Sequence, residues 1–522
     1  MLAALVAVPL VFIFSAMLTP SGEIWRHLSE TILAELLRNT LYLVLGVSAG
    51  TFVLGVGLAW LTAIYDYPGK RFFSWALMLP LAIPAYVFAF VFLGIFDFMG
   101  PVQTLLRGFF GPANVRLPDP SSTGGVIAVM SFVLYPYVYL LARGAFMTQG
   151  KRLLEASQML GHGGVSSFFY VMLPMARPWI AGGLLLVVME TLADFGAVSI
   201  FNYDTFTTAI YKAWFGFFSI EAAAQLSSLL VVIVLVILVL EQRSRAGMRY
   251  TRGGSESVST EAVRLEGFWI KWAASGVSAA VFLVAFAIPV VQLAIWGVGV
   301  FENEFGSRYL SYLWHTMALG GMSASIVSAL ALMLAYSKRL HDDGLMRLLA
   351  RFSCLGYALP GTVLAVGIFV PVAKLDNLVI DALGLETSSI LKGTVLVLVA
   401  AYVVRFMAAG FNAIDSSLQR IARSVDEASR LLGHSGLSLL GRVHVPLLKG
   451  GIVTAAIMVL VDVMKEMPIT LMMRPFGWDT LAVKIFELTS EGEWERAALP
   501  ALVLVIAGLL PVILLTRQGD KR

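Results

Sequence analysis

Windows of about 20 predominantly apolar residues, the length that crosses the hydrocarbon core of a bilayer, can be drawn twelve times along this chain. Their approximate centres are Val8, Gly50, Ala85, Phe132, Val188 and Val232, then Ala285, Ser325, Ala365, Val399, Met458 and Ala507. With 58% hydrophobic and 13% charged residues, no soluble core could hide this much apolar surface. The expectation is an all-α integral membrane protein with twelve transmembrane helices. The first window begins at Leu2 and is similar to a signal peptide in its position and apolar length, but it lacks a basic leader. It is counted as a span because the window around Ala285 is its counterpart in the second half. The single cysteine, Cys354, excludes an intrachain disulfide framework and a cysteine-rich metal site.

Basic residues set the expected orientation. One set of loops carries Lys70, Arg71, Lys151, Arg152, Arg245, Lys338, Arg339, Arg420, Arg423 and the tail Arg517, Lys521 and Arg522. The opposite set is poorer in basic residues and holds acidic clusters such as Glu302/Glu304 and Glu491/Glu493/Glu495. By the positive-inside rule the first set, with both termini, is cytoplasmic. These charges flank spans without interleaved aromatics, so nucleic acid is not an expected partner.

The chain is an internal duplication. Glu155-Ala156-Ser157, Gly161, Val171 and Leu173-Pro174 recur with every spacing intact as Glu427-Ala428-Ser429, Gly433, Val443 and Val445-Pro446. Asn39 aligns with His315, Pro84 with Pro360, Asp194 with Glu466 and Thr208 with Thr480. An even number of spans separates these points, so the halves share one orientation and are expected to be related by a pseudo-twofold axis along the membrane normal. The expected domains are 1–241 and 268–522, each with six helices, joined by a polar cytoplasmic linker over 242–267.

Each copy of the motif, about residues 150–174 and 422–446, reads as a short amphipathic helix closed by a glycine, the residue that most cheaply adopts the left-handed conformation. Ser424 and Glu427 have capping-box spacing, whereas Arg152 stands at the matching position of the first copy. Duplication alone would leave such helices as inherited membrane-surface elements. The spacing held over about twenty residues favours a constraint imposed by a partner, since loops ordinarily drift.

The pattern resembles the EAA loop of binding-protein-dependent ABC importer permeases, in which Glu-Ala-Ala is followed at fixed spacing by Gly, Ile and Leu-Pro. Ser157 and Ser429 replace the third residue, and Val445 replaces the leucine. The resemblance covers nearly the whole chain and implies two tandem six-helix permease domains of the type I importer fold. It further implies that Glu155, Ala156, Gly161, Glu427, Ala428 and Gly433 couple the permease to two copies of a cytoplasmic ATPase, and that a periplasmic or lipid-anchored protein delivers the solute at the inner membrane. The fused layout, with the runs Leu134 to Arg143, Met189 to Gly196 and Asp204 to Tyr211, resembles the ferric-iron permeases most. Thiamine, polyamine and oxyanion permeases are the alternatives.

No phosphate-binding loop occurs, since Gly69-Lys70 and Gly150-Lys151 are each followed by arginine. The chain is therefore expected to be a transport subunit with no cofactor of its own, ATP being used by the partner. Ionisable residues inside spans need an account. Glu190 and Asp194 lie four residues apart, as do Asp462 and Glu466, and each pair is expected on one helical face. Such oxygen ligands suit a hard cation on a translocation path. The competing account is that Lys465 and neighbouring side chains pair these acids and fix helix register. The six histidines give no metal pattern, although His162 and His434 match in the repeat. An ion-coupled secondary transporter would use the acids but need no docking repeat, and an intramembrane zinc protease would need a His-Glu-x-x-His pattern that is absent.

Overall fold

The computed structural model describes residues 2–18, 23–111, 119–159, 161–246, 263–264, 267–341, 343–387 and 389–519. Most of the expected linker and the Lys521-Arg522 tail lie outside the described residues. Among the described residues the regular structure is helical, apart from a two-residue parallel pairing of Tyr65–Asp66 with Val263–Arg264.

The first half contributes α1 (Leu2–Ser15), α2 (Leu33–Ile64), α3 (Ala85–Phe96), α4 (Thr123–Met159), α5 (Leu173–Ala193), α6 (Gly196–Ile200), α7 (Phe206–Tyr211) and α8 (Ile220–Ala246). The second contributes α9 (Phe268–Glu304), α10 (Ser307–Leu340), α11 (Gly361–Leu383), α12 (Val395–Gln419), α13 (Arg423–Leu431), α14 (Lys449–Lys465), α15 (Pro468–Met473), α16 (Leu481–Ser490) and α17 (Trp494–Gly519). Among the described residues ten helices are long and apolar enough to cross a membrane. Gly436–Leu447 with α14 makes an eleventh candidate, bent by 79°, and Leu2–Leu18 is apolar but shorter. These elements take in all twelve apolar windows.

Ala85 and Ala365, expected near span centres, instead fall at the first residue of α3 and the fifth of α11. Hydropathy runs unbroken through the preceding residues, but the 3-10 turns Leu79–Ala82 and Leu355–Ala358, followed by Pro84 and Pro360, restart the helix. A carbonyl freed by such a break inside a membrane needs another donor. Tyr135 donates to the Leu77 carbonyl at 2.7 Å and Tyr139 to that of Ser74 at 3.0 Å. Both tyrosines are fully buried, so their rings fill the core while their hydroxyls repair the broken ladder.

The chain forms two compact units whose borders cut across the duplication. One comprises Met1–Leu33, Phe206–Val231 and Val300–Arg522; the other comprises Ala34–Thr205 and Val232–Gly299. The first helix of each half therefore belongs to the unit built mainly from the other half. In the first unit α1 packs on α11, where Gly367 leaves room for Pro9 and Ile13; a Cβ there would stand 2.7 Å from Ile13 Cδ1. Lys374 on the same helix lies 4.9 Å over the Phe12 ring. In the second unit the start of α9 packs on the helix Lys70–Ala76. Ser275 there donates to the Pro68 carbonyl at 2.8 Å, and Ser278 meets the Tyr67 hydroxyl at 3.0 Å.

Within the first unit α10, α12 and α14 pack against one another, and within the second α4 packs along α5. Small residues allow these approaches in the absence of a hydrophobic driving force between helices in lipid. A Cβ at Gly183 on α5 would come within 2.8 Å of Val138 Cα, and one at Gly451 on α14 would collide with Ser417.

Candidate functional site

The two copies of the motif differ in how they leave the preceding span. In the first copy there is no separate helix: α4 runs for 37 residues from the span through Glu155 to Met159. The side chain of Glu155 lies outside the described residues, as does Leu160. In the second copy α12 ends at Gln419, and α13 starts afresh at Arg423. Its N-cap is Ala422, without a side-chain hydrogen bond, so the capping box expected of Ser424 and Glu427 does not form.

Arg339 and Asp426 hold α13 instead. Arg339, at the end of α10, donates to the carbonyls of Leu418 at 2.6 Å, Ile421 at 3.0 Å and Ala422 at 3.3 Å. Its Nε and Nη2 also reach both Asp426 carboxylate oxygens, at 2.7 and 3.1 Å. His444 Nε2, fully buried, stands 3.2 Å from Asp426 Oδ1. The fork geometry of one guanidinium thus closes the end of α12, the turn and the first turn of α13 together.

Both copies close alike. Gly161 and Gly433 adopt φ of 88° and 83°. His434 donates its backbone N–H to Ser429 at 3.0 Å and Gly433 donates to Arg430 at 3.0 Å, the paired bonds of a Schellman stop. His162 repeats the first of these to Ser157 at 3.1 Å. The matched histidines also act within their own loops, where Nδ1 of His162 meets Ser166 Oγ at 2.9 Å and that of His434 meets Ser438 Oγ at 3.2 Å. No cluster of metal-binding side chains occurs among the described residues.

The exposed faces also correspond. Ala156 and Met159 are exposed on the first copy, and Glu427, Ala428 and Leu431 on the second, while Ser157, Asp426 and Ser429 turn inward. A small residue beside an apolar tip, with one carboxylate in the second copy, suits insertion into a partner's groove.

The four membrane acids do not form two i, i+4 pairs on helix faces. Glu190 and Asp462 lie half-buried within α5 and α14, but Asp194 and Glu466 are C-caps with extended ψ of 131° and 116°. Gly196 and Pro468 start new short helices just beyond them, and the carboxylates turn to those starts. Asp194 Oδ1 accepts from the Val198 N–H and Glu466 Oε1 from that of Ile469, both at 3.1 Å. Glu466 Oε2 further pairs with Arg405 Nε at 3.1 Å, and Arg405 donates to the Leu359 carbonyl at 2.7 Å. The expected pairing by Lys465 and neighbouring basic side chains is met at Glu466 by Arg405, and Lys465 interacts electrostatically with Asp462. Glu190 and Asp194 belong to one compact unit, Asp462 and Glu466 to the other.

Sequence reasoning passed over Arg339, Asp426, His444 and Arg405. Arg339 reads as one more orientation charge, and Asp426 is hidden beside the motif glutamate. The available signal was the half-to-half comparison. In the register of the duplication Ala63, Leu154, Met172 and Val133 stand where the second half has these four polar residues.

The family model described as binding-protein-dependent transport system inner membrane component matches twice, over residues 55–243 and 328–521. A Fe(3+)-transport system permease protein of Haemophilus influenzae is 27% identical over all of this chain and 98% of its own length. A ferric transport system permease protein of Actinobacillus pleuropneumoniae is 21% identical, over 94% of this chain and 72% of its own. A molybdate/tungstate transport system permease protein of Pyrococcus furiosus is 25% identical over 46% of this chain and 88% of its own. The doubled match falls on the two halves that carry the motif, and the chain belongs to the family of binding-protein-dependent transport system inner membrane components.

Proposed function

We propose that this chain is the membrane-spanning permease of an ATP-driven importer for ferric iron delivered by a solute-binding protein. The observation that carries the substrate is coverage. The ferric relative from Haemophilus influenzae aligns along the full fused length, whereas the molybdate/tungstate relative aligns with less than half of this chain. In this reading the protein resides in the inner membrane, with both termini and both docking loops in the cytoplasm. Two ATPase subunits bind there, one at each loop, and hydrolyse the ATP.

Closure of the ATPase pair would draw the docking loops together and shift the permease between outward-open and inward-open states. A partner shifts that equilibrium only by binding the two states unequally, so the loops must be held firmly enough to transmit a displacement. Of the four membrane acids, Asp194 and Glu466 are engaged in capping the short helices beyond them and are set aside as path residues. Carboxylate oxygens such as those of Glu190 and Asp462, each taken by itself, suit a hard cation.

Uptake of radioactive ferric iron in a strain lacking the chromosomal copy tests the reading. Expression of this chain with its ATPase and binding protein should restore uptake, and excess molybdate or sulfate should not compete. Uptake of an oxyanion in place of iron would overturn the substrate. Transport without any ATPase subunit would overturn the coupling scheme in favour of an ion-coupled carrier using the acids.

A further inference from the structure

The two docking loops stand on different physical foundations. Under the first, Trp60, Ala63, Leu154 and Met172 occupy the positions of Tyr336, Arg339, Asp426 and His444 under the second. Leu154 and Met172 are buried, and Trp60 packs against the rings of Tyr65, Phe146 and Phe168 at centroid distances of 5.7, 5.6 and 5.0 Å. The helix above this apolar bed never breaks. Under the second loop Arg339 and Asp426 form a part-buried ion pair with His444 beside it. Tyr336 donates to the Gly436 carbonyl at 2.7 Å on the far side of the loop, and its ring lies 5.5 Å from that of His444. The helix here is interrupted over Arg420 to Ala422.

We propose that Arg339 and Asp426 are positioning residues for coupling: they clamp α13 to the ends of α10 and α12, doing by a side-chain ion pair what an unbroken helix does in the first loop. The inference rests on the docking role assigned above. Movement at the first loop passes along one continuous helix into its span. Movement at the second passes through the clamp, because the backbone between α12 and α13 is a turn whose carbonyls bond to Arg339 and not along a helix. The two ATPase subunits therefore drive unequal levers, and the second lever alone depends on a removable ion pair.

The geometry separates this from a generic need for positive charge. Arg339 uses Nε, Nη1 and Nη2 on five acceptors spread over Leu418, Ile421, Ala422 and Asp426. A lysine ammonium keeps the charge but cannot span that set.

The test uses the full chain in nanodiscs with Cys354→Ser and spin labels at Ser416 and Leu431, both exposed, across the interrupted joint. Labels at Thr148 and Met159 are the control across the uninterrupted one. Arg339→Gln and Arg339→Lys should both broaden the first distance distribution and leave the control narrow. In the complete transporter each should lower the solute moved per ATP hydrolysed by on the order of 5-fold or more, the lower range of typical coupling between sites. Should Arg339→Gln fail to accumulate, Asp426→Asn leaves the three carbonyl bonds in place and should give the same direction of change. Unchanged distances and an unchanged transport ratio in these variants would overturn the clamp. Cross-linking from Ala428→Cys to the ATPase separates the two readings: a cross-link with unaltered coupling in Arg339→Gln removes the clamp alone, and no cross-link at all removes the docking role and the clamp with it.

Discussion

Arg405 Nε lies 3.1 Å from Glu466 Oε2, while the other Glu466 oxygen accepts the N–H that opens α15. One carboxylate thus neutralises a part-buried guanidinium and starts a helix. Asp194 likewise starts a helix, and Val133 stands at the position of Arg405 in the first half.

The two halves should therefore respond unequally to the same amide substitution. Asparagine caps a helix about as well as aspartate, so Asp194→Asn should leave membrane abundance near the parental level. Glu466→Gln strands Arg405, and breaking a buried pair costs about 3–5 kcal/mol. Its abundance and thermal midpoint should fall clearly. Comparing both variants by quantitative immunoblotting and thermal unfolding decides the matter; equal and mild behaviour would return Glu466 to the list of path residues.

The left-handed glycines closing the two motif loops should not tolerate side chains. A residue other than glycine pays about 1–2 kcal/mol at such φ, and a β-branched one more. Among the described residues, chain neighbours aside, no atom stands within 4 Å of a Cβ built at Gly161 or Gly433, so the penalty is local to the backbone. Gly161→Val with Gly433→Val should insert and accumulate normally while transport falls, and the ATPase activity should lose its stimulation by the binding protein. Parental transport with the ATPase still bound would remove these turns from coupling.

Asp376 organises the segment after α11. Its carboxylate accepts the backbone N–H groups of Ile390, Leu391 and Lys392 at 2.9 to 3.1 Å. Asp376→Ala removes every one of these acceptors, so the peptide bond after Lys392 should become a faster trypsin site in the reconstituted protein. An unchanged cleavage rate would mean that the segment is held by other contacts.

Much of this architecture was legible before any coordinates, and the reasons for the exceptions are physical. Hydropathy placed the centres of all twelve apolar windows in helices, although among the described residues ten helices, or eleven with the bent pair, are long and apolar enough to cross a membrane; the closing glycines were legible because positive φ is a local demand. The exchange of α1 and the start of α9 between compact units was not, since an apolar helix carries little record of which neighbour it packs on. Asp194 and Glu466 were misplaced on helix faces because the i, i+4 rule assumes an unbroken helix, and Gly196 and Pro468 had already ended it. The contrast between a continuous α4 and a divided α12 and α13 turns on Arg339, which lies far away in sequence.

Labelling tests the orientation, and Cys354 favours the experiment. Burial, with Asp415 adding to it and Lys338 opposing, pushes the Cys354 thiol up to about 11. Only the thiolate reacts, so its alkylation at neutral pH should run about 100-fold slower than that of a thiol at the ordinary value near 9, and should quicken as pH rises toward 11. Cysteines introduced as Gly163→Cys and Ser435→Cys then report above a low background. Both sites are exposed and have ordinary negative φ of −71° and −136°, so neither substitution strains the loop. With a membrane-impermeant maleimide at pH 7, neither should label in intact cells and both should label after lysis. Labelling of either in intact cells would place the docking loops outside and overturn the coupling scheme, whereas rapid labelling of Cys354 at neutral pH would refute the burial that raises its thiol.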